Sequence, residues 1–313
     1  MKCVMCLEEK APSREHIFPA AIGGRIIFYR VCKECNSWLG GNVDDLLTEH
    51  FLIQVARIQH DLRGSRGSLL RPVKQGHLPT GEPIDILYGE DGRLSGFSIP
   101  LGRARRANTI TFTADQCDQE RLRTIVNNVR QQYDQTELTQ EEFEEVITLT
   151  QTAPTVLVKL DLDITAYQRA ILKIAYELAC RWLGDAYLED ETAQAIRLAV
   201  MDKTSASWLG SHQVNGHIDF YGAMKTPLDM WDEEQDAHVA LLARNKNLVV
   251  CSVRIFKIFQ GQIIMSNNAT SYPRFEAMVA INPIADDVRE STLIAETRHF
   301  QVRSEDEALS DEA

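Results

Sequence analysis

The sequence predicts an α+β fold, with a small cysteine-stapled module at the N-terminus and a mixed α+β domain with an antiparallel sheet after it. Three observations predict it. Two Cys-x-x-Cys pairs, "CVMC" at 3–6 and "CKEC" at 32–35, frame the first 35 residues. "AYQRAILKIAYELACRWLG" at 166–184 has the strongest amphipathic helical pattern in the chain, and Gly184 ends it. Near the C-terminus "VALLA", "LVVCSVRIFKIF" and "QIIM" are separated by "RNKN" and "QG", the pattern of an antiparallel meander.

Taken in order, "EHIFP" at 15–19 suits a short strand that Pro19 cannot continue. Gly23 and Gly24 permit a tight bend, "RIIFYRV" returns as a second strand, and a helix begins near Cys35. The spacing of Leu46, Leu47, Phe51, Val55 and Ile58 predicts one helix within 44–64. Residues 1–64 thus form the head, and the Gly-, Pro- and Arg-containing stretch 65–82 is the expected linker. An α+β domain over 83–303 follows. It holds a hairpin turning at Gly89–Gly92, a strand in "ANTITFTA", helices in "DQERLRTIVNNVRQQY" and "TQEEFEEVITLT", and a strand in "TVLVKLDLD". Residues 304–313 read as a disordered acidic tail.

The composition excludes several classes. Apolar content is 44% and charged content 25%, a globular balance rather than a disordered or fibrous one. No run approaches the roughly 18–20 apolar residues that cross a bilayer, and "MKCVMCLEEK" has no apolar core of a secretory signal. A cytoplasmic setting with no membrane partner is expected. The net charge is −12, but residues 1–75 carry +3 and the remainder −15. A weakly basic head on an acidic body suits phosphate binding at the head and argues against non-specific DNA binding by the whole surface.

Cys3, Cys6, Cys32 and Cys35 match four thiolates around a tetrahedral Zn²⁺, a structural site with no open position for chemistry. A head of this size has too little core to be secure alone, and the ion supplies stability. The solitary Cys117, Cys180 and Cys251 read as small buried residues. Between the knuckles lie Glu15 and His16, and directly after the second lies Asn36. The strand–loop–strand–helix order brings these three together.

C-x-x-C, acid-His-Ile-x-Pro, Gly-Gly and C-x-x-C-Asn, in that order, resemble the HNH endonuclease family and its ββα-metal fold. "CNSWLGGNVDDLL" is similar to bacterial members in which C-N-x-x-x-G precedes an acidic residue, here with a C-terminal extension. The resemblance implies that His16 is the general base that deprotonates the attacking water. Glu15 and Asn36 would then hold a catalytic Mg²⁺ or Mn²⁺, with Asp44 as an added ligand or a helix cap. DNA would be cut to a 5′ phosphate and a 3′ hydroxyl. Two departures stand out: the family's middle asparagine, which braces the loop, is absent from "GGRIIFYRVC", and Glu15 replaces the usual Asp. Another contact must brace the loop. Arg14, Arg25 and Arg30 are candidate phosphate contacts or ordinary exposed arginines. His50, His60, "GRARR" at 102–106, and Trp208, His212 and His217 carry no spacing that demands chemistry.

The expected function is therefore a metal-dependent DNA endonuclease, in a setting resembling bacterial restriction or phage defence. The acidity of the C-terminal part favours a protein partner or activator over naked duplex. The competing expectation is a zinc-bound adaptor that binds nucleic acid or protein without cutting.

Overall fold

Pro19 ends the strand that Glu15–His16 (β1) begins, and the chain returns through one 3-10 turn, Ala20–Ile22, to Ile27–Phe28 (β2). The two strands are antiparallel, with Glu15 opposite Phe28 and His16 opposite Ile27. The bend needs its glycines. Gly23 has φ +84°, and a Cβ on Gly24 would stand 1.8 Å from the Phe18 carbonyl oxygen.

These features come from a computed structural model that describes residues 1–63, 70–79, 81–100, 102–106, 109–113, 118–146, 155–159, 165–202, 214–231, 236–273 and 276–298. The expected tail 304–313, Cys117, Trp208, His212, Gly64, and residues 65–69 and 80 of the expected linker lie outside the described residues.

Lys33–Leu39 (α1) starts at the second cysteine pair. A five-residue π-helical stretch, Gly40–Asp44, leads into Asp45–Thr48 (α2) and then Phe51–Gln59 (α3). The single helix expected within 44–64 is therefore broken at Glu49 and His50. The His50 ring is buried against the edges of Tyr167 and Phe259, at centroid distances of 5.7 and 4.9 Å, and its backbone is extended to reach them. Arg57 Nη1 donates to the Thr48 carbonyl at 3.1 Å, satisfying an acceptor that the break leaves without a helical donor. Tertiary packing has overridden periodicity.

Residues 69–161 form one of two contact units and are described by themselves. Gln75–His77 (β3), Pro83–Tyr88 (β4) and Leu94–Ser98 (β5) form an antiparallel sheet whose β4–β5 turn falls at Gly89–Gly92, as expected. Gly102–Arg106 (β6) pairs with Thr109–Thr113 (β7), so "GRARR" is a strand; its side chains lie outside the described ones. Gln119–Gln131 (α4) and Gln140–Val146 (α5) follow. The strand expected in "TVLVKLDLD" is, among the described residues, one bridge from Leu157 to His77. Among its described residues Leu157 and Val158 are exposed, while Val156 is half-buried beside Gly76.

The other unit joins residues 1–68 to 162–313. Ala166–Leu183 (α6) ends at Gly184, φ +72°, as the sequence predicts. Glu191–Met201 (α7) is capped by Asp190, which accepts from the Thr192 and Ala193 N–H groups. Gly216–Phe220 (β8), Ala237–Asn245 (β9), Leu248–Ile255 (β10), Phe259–Ser266 (β11), Met278–Pro283 (β12) and Arg289–Thr292 (β13) form a sheet in the order β13-β12-β9-β10-β11-β8, every neighbour antiparallel. The β9–β10 turn lies in "RNKN", as expected. The next turn does not lie at "QG". It falls at Phe256–Ile258, where Phe256 takes φ +47°, stacks on His60 and donates its N–H to His238 Nδ1 at 3.3 Å. Gly261 is instead a strand residue opposite Val253, and glycine suits it because a Cβ there would meet Ile218 at 2.9 Å and Ile171 at 3.1 Å.

Contacts thus divide the chain differently from the expected 1–64, 65–82 and 83–303, and β3 already lies within the span read as linker. The reason is a shared core. Tyr176 Oη donates to the Val4 carbonyl at 2.8 Å, Arg197 to the Met5 carbonyl at 3.0 Å, and Arg181 to the Ile27 carbonyl at 3.0 Å. Apolar residues of the head, α6, α7 and β8–β12 form one continuous cluster. A head of about 60 residues buries too little surface alone, and here α6 and α7 supply the rest. Among the described residues, no helix is long and apolar enough to cross a membrane.

Candidate active site

The four cysteine sulfurs of Cys3, Cys6, Cys32 and Cys35 all lie within 4.8 Å of one another, with Cys6 and Cys32 at 4.0 Å. A thiolate tetrahedron with bonds of ~2.3 Å spaces its sulfurs about 3.8 Å apart, so the cage fits Zn²⁺. The Cys32 N–H donates to Cys3 Sγ at 3.3 Å. Burial opposes ionisation of Cys3, but backbone donors from Cys6, Cys32 and Met5 outweigh it and lower its thiol below the usual value. Burial and the neighbouring sulfurs raise Cys35. Four thiolates therefore need a cation between them. The first knuckle is held from outside by Tyr176 and Arg197, so α6 and α7 position the cage as well as closing the core.

Strand alternation on β1 sends Glu15 into the core and leaves His16 half-buried. Glu15 does not face solvent or a free pocket. Its Oε1 accepts from Lys173 Nζ of α6 at 2.5 Å, and the same ammonium donates to the His16 carbonyl at 3.0 Å. The π-helical stretch carries Asp44 to the same nitrogen, with Oδ1 at 3.2 Å. Glu177, one turn along α6, is fully buried 3.5 Å away, and neither of its oxygens has a hydrogen-bond partner among the described residues. Burial works against the Lys173 charge, yet Asp44, Glu177 and Glu15 outweigh it and raise its pKa. Burial pushes the Asp44 carboxyl up to about 6, partly countered by Lys173. Glu177 rises well above a normal glutamate, chiefly through burial.

Asn36 bonds the segment just before Glu15. Its Nδ2 donates to Ser13 Oγ at 3.1 Å and to the Arg14 carbonyl at 3.0 Å. It braces the approach to β1, the kind of contact that the missing middle asparagine left open. Of the expected trio, Glu15 and Asp44 both bond Lys173, and Asn36 bonds Ser13 and Arg14. Glu15 and Asp44 do come together, but around an ammonium, and a divalent ion does not fit between them as they stand.

Residues 3–52 match the HNH endonuclease family model. The match ends where α3 has just begun and does not extend into the rest of the chain. No curated protein and no solved structure matches the chain. The HNH module supports a nuclease-like role, and its cysteine cage is a possible zinc site.

Around the HNH module the arginines divide. Arg14 is exposed beside His16. Arg25 is engaged within the protein, donating to the carbonyls of Pro283 and Asp286, and Arg30 pairs with Asp185 at 2.5 Å. A phosphate clamp by Arg25 does not fit those bonds. His60 stacks on Phe256 and lies 3.5 Å from Asp236, and His217 lies 3.4 Å from Asp219 at the surface. Neither is near the cysteines or His16 in any bond described. Cys180 and Cys251 are buried, as the sequence suggests.

Residues of the C-terminal sheet that sequence reasoning missed hold the bend between β1 and β2. Asn282, buried on β12, donates to the Gly23 carbonyl at 3.0 Å and accepts from the Arg25 N–H at 2.8 Å. His238 Nε2–H donates to the Ile22 carbonyl at 2.8 Å. Burial lowers the His238 pKa to about 4. The unfolded chain, near the ordinary 6.5, takes up the proton first. The contribution of neutral His238 is therefore complete above pH 6.5 and is lost as pH falls from there to about 4, in all about 3 kcal/mol. The stability gap between wild type and His238→Phe should narrow by that amount across the window, measured by urea unfolding at several pH values. A gap independent of pH would show that the imidazole is not held neutral. Lys173 and Glu177 were also missed. Their one signal is a Lys–Glu pair four residues apart inside the apolar run "ILKIAYELA", which reads as an ordinary helical pair.

Proposed function

We propose that the HNH module hydrolyses DNA phosphodiester bonds, with His16 as the general base. The observation that carries this is the family match over residues 3–52 together with a half-buried His16 at the end of β1. Burial, then the charges of Arg14 and Lys173, lower the His16 pKa below 6.5, and Asp44 opposes them only partly. A base that is unprotonated at neutral pH can accept the proton of an attacking water. Arg14, exposed beside His16, would meet a phosphate, and zinc in the cysteine cage would hold the module without taking part. A divalent ion, when bound, would supply positive charge at the scissile phosphate. Of its three expected ligands, only Asn36 is not on Lys173. The acidic remainder of the chain favours a protein partner or activator over naked duplex as its own contact.

Plasmid cleavage by zinc-loaded wild type and His16→Ala, with Mg²⁺, with Mn²⁺ and with neither, tests the reading. Wild type is expected to cut, His16→Ala to be slower by about 10² or more, and the acid limb of the wild-type rate to lie below pH 6.5. Equal rates for the two proteins would remove His16 from the mechanism. One observation favours the second reading, a zinc-bound adaptor that does not cut: the carboxylates of the acidic pocket are already engaged by Lys173. Binding of DNA by folded wild type, with no cleavage in the presence of the proteins encoded beside it, would select that reading.

A further inference from the structure

The arrangement around Lys173 has a cation at its centre and carboxylates around it. Nζ is fully buried, and its donors go to Glu15, the His16 carbonyl and Asp44. Glu177 supplies a third carboxylate at 3.5 Å. A divalent ion shared by Glu15 and Asp44 would have to sit about 2.1 Å from an oxygen of each, in the space this nitrogen fills. The lysine is not a mobile arm. It sits mid-way along α6, and its neighbours Leu172 and Ile174 are fully buried in the common core. Moving Nζ out would break its bonds to Glu15, the His16 carbonyl and Asp44 together. Among the described residues, the four cysteines are the group of three or more His, Cys, Asp and Glu close enough to share a metal, whereas the carboxylates are spread by the ammonium between them.

We propose that Lys173 is a resident substitute for a divalent cation: its tethered ammonium neutralises Glu15 and Asp44, and the module binds no Mg²⁺ or Mn²⁺ on those carboxylates. Lys173 is then a positioning residue. It anchors β1, and with it the backbone of His16, to α6. The substitution also makes the α6 segment part of the site although the family match stops at residue 52. Its consequence for catalysis rests on the nuclease reading; its metal-binding content does not.

The test uses the full zinc-loaded chain and Mn²⁺ alone, followed by electron paramagnetic resonance. Wild type and Glu15→Gln are expected to give the same Mn²⁺ isotherm. Lys173→Met is expected to acquire one further Mn²⁺ site, at least ten-fold tighter than any in wild type, and adding Glu15→Gln should remove it. A wild-type site weakened ten-fold or more by Glu15→Gln overturns the proposal. So does a folded Lys173→Met protein that acquires no site. Where Lys173→Met fails to fold, Lys173→Met with Glu177→Gln relieves one of the like charges. If that fails too, the comparison of wild type with Glu15→Gln decides alone. None of these measurements needs cleavage, so the role of the lysine is decided even in a protein that does not cut DNA.

Discussion

Lys173→Met is expected to destabilise the unit formed by residues 1–68 and 162–313 by about 3–5 kcal/mol at neutral pH, the usual cost of removing one partner from a buried ion pair. Methionine keeps most of the volume, so the loss is electrostatic rather than a cavity. Glu15 and Glu177 would be left buried, and Asp44 half-buried, with no cation. Asp44 and Glu177 then stay folded most easily as neutral acids. Asp44 already has a pKa of about 6, and Glu177 lies well above the normal range. The folded variant therefore binds more protons than its unfolded chain, and its stability falls as pH rises. Urea unfolding should show a larger deficit at pH 8 than at pH 5. A deficit below about 1 kcal/mol at neutral pH would mean that the ammonium is not the cluster's counter-charge.

Cys32→Ser is expected to release zinc and unfold more than the HNH module. Structural zinc contributes roughly 10–16 kcal/mol of apparent binding free energy in small zinc-dependent folds, and Cys32 is both a cage sulfur and the N-cap of α1. The first knuckle also presents the Val4 and Met5 carbonyls to Tyr176 and Arg197. Loss of the cage should therefore expose amides of α6 and α7, while residues 69–161, which form their own contact unit, keep theirs. Hydrogen exchange read peptide by peptide separates the outcomes. Protection lost only within residues 1–64 would restore the picture of an independent head.

Much of the HNH module was legible in the sequence because its signals are local. The proline that stops β1 and the Gly23-Gly24 bend act within a few residues of themselves, and the two cysteine pairs and the asparagine after the second act within residues 3–36. The same holds for the amphipathic run of α6 and for the β9–β10 turn. Errors came where a distant side chain decides the backbone. His50 breaks a helix because Tyr167 and Phe259 accept its ring, and Phe256 turns early because His60 and His238 hold it.

The sequence by itself determined the α+β class, the cysteine cage and the placing of Glu15, His16 and Asn36 within one short segment. What surrounds Glu15 was decided only by the tertiary structure. Lys173 lies 158 positions away, and nothing in the pattern of α6 distinguishes a lysine that reaches water from one enclosed by three carboxylates. Charge pairing at that range depends on which helix face the core buries, and burial of that face is a property of the assembled sheet and helices rather than of the segment that carries the charge.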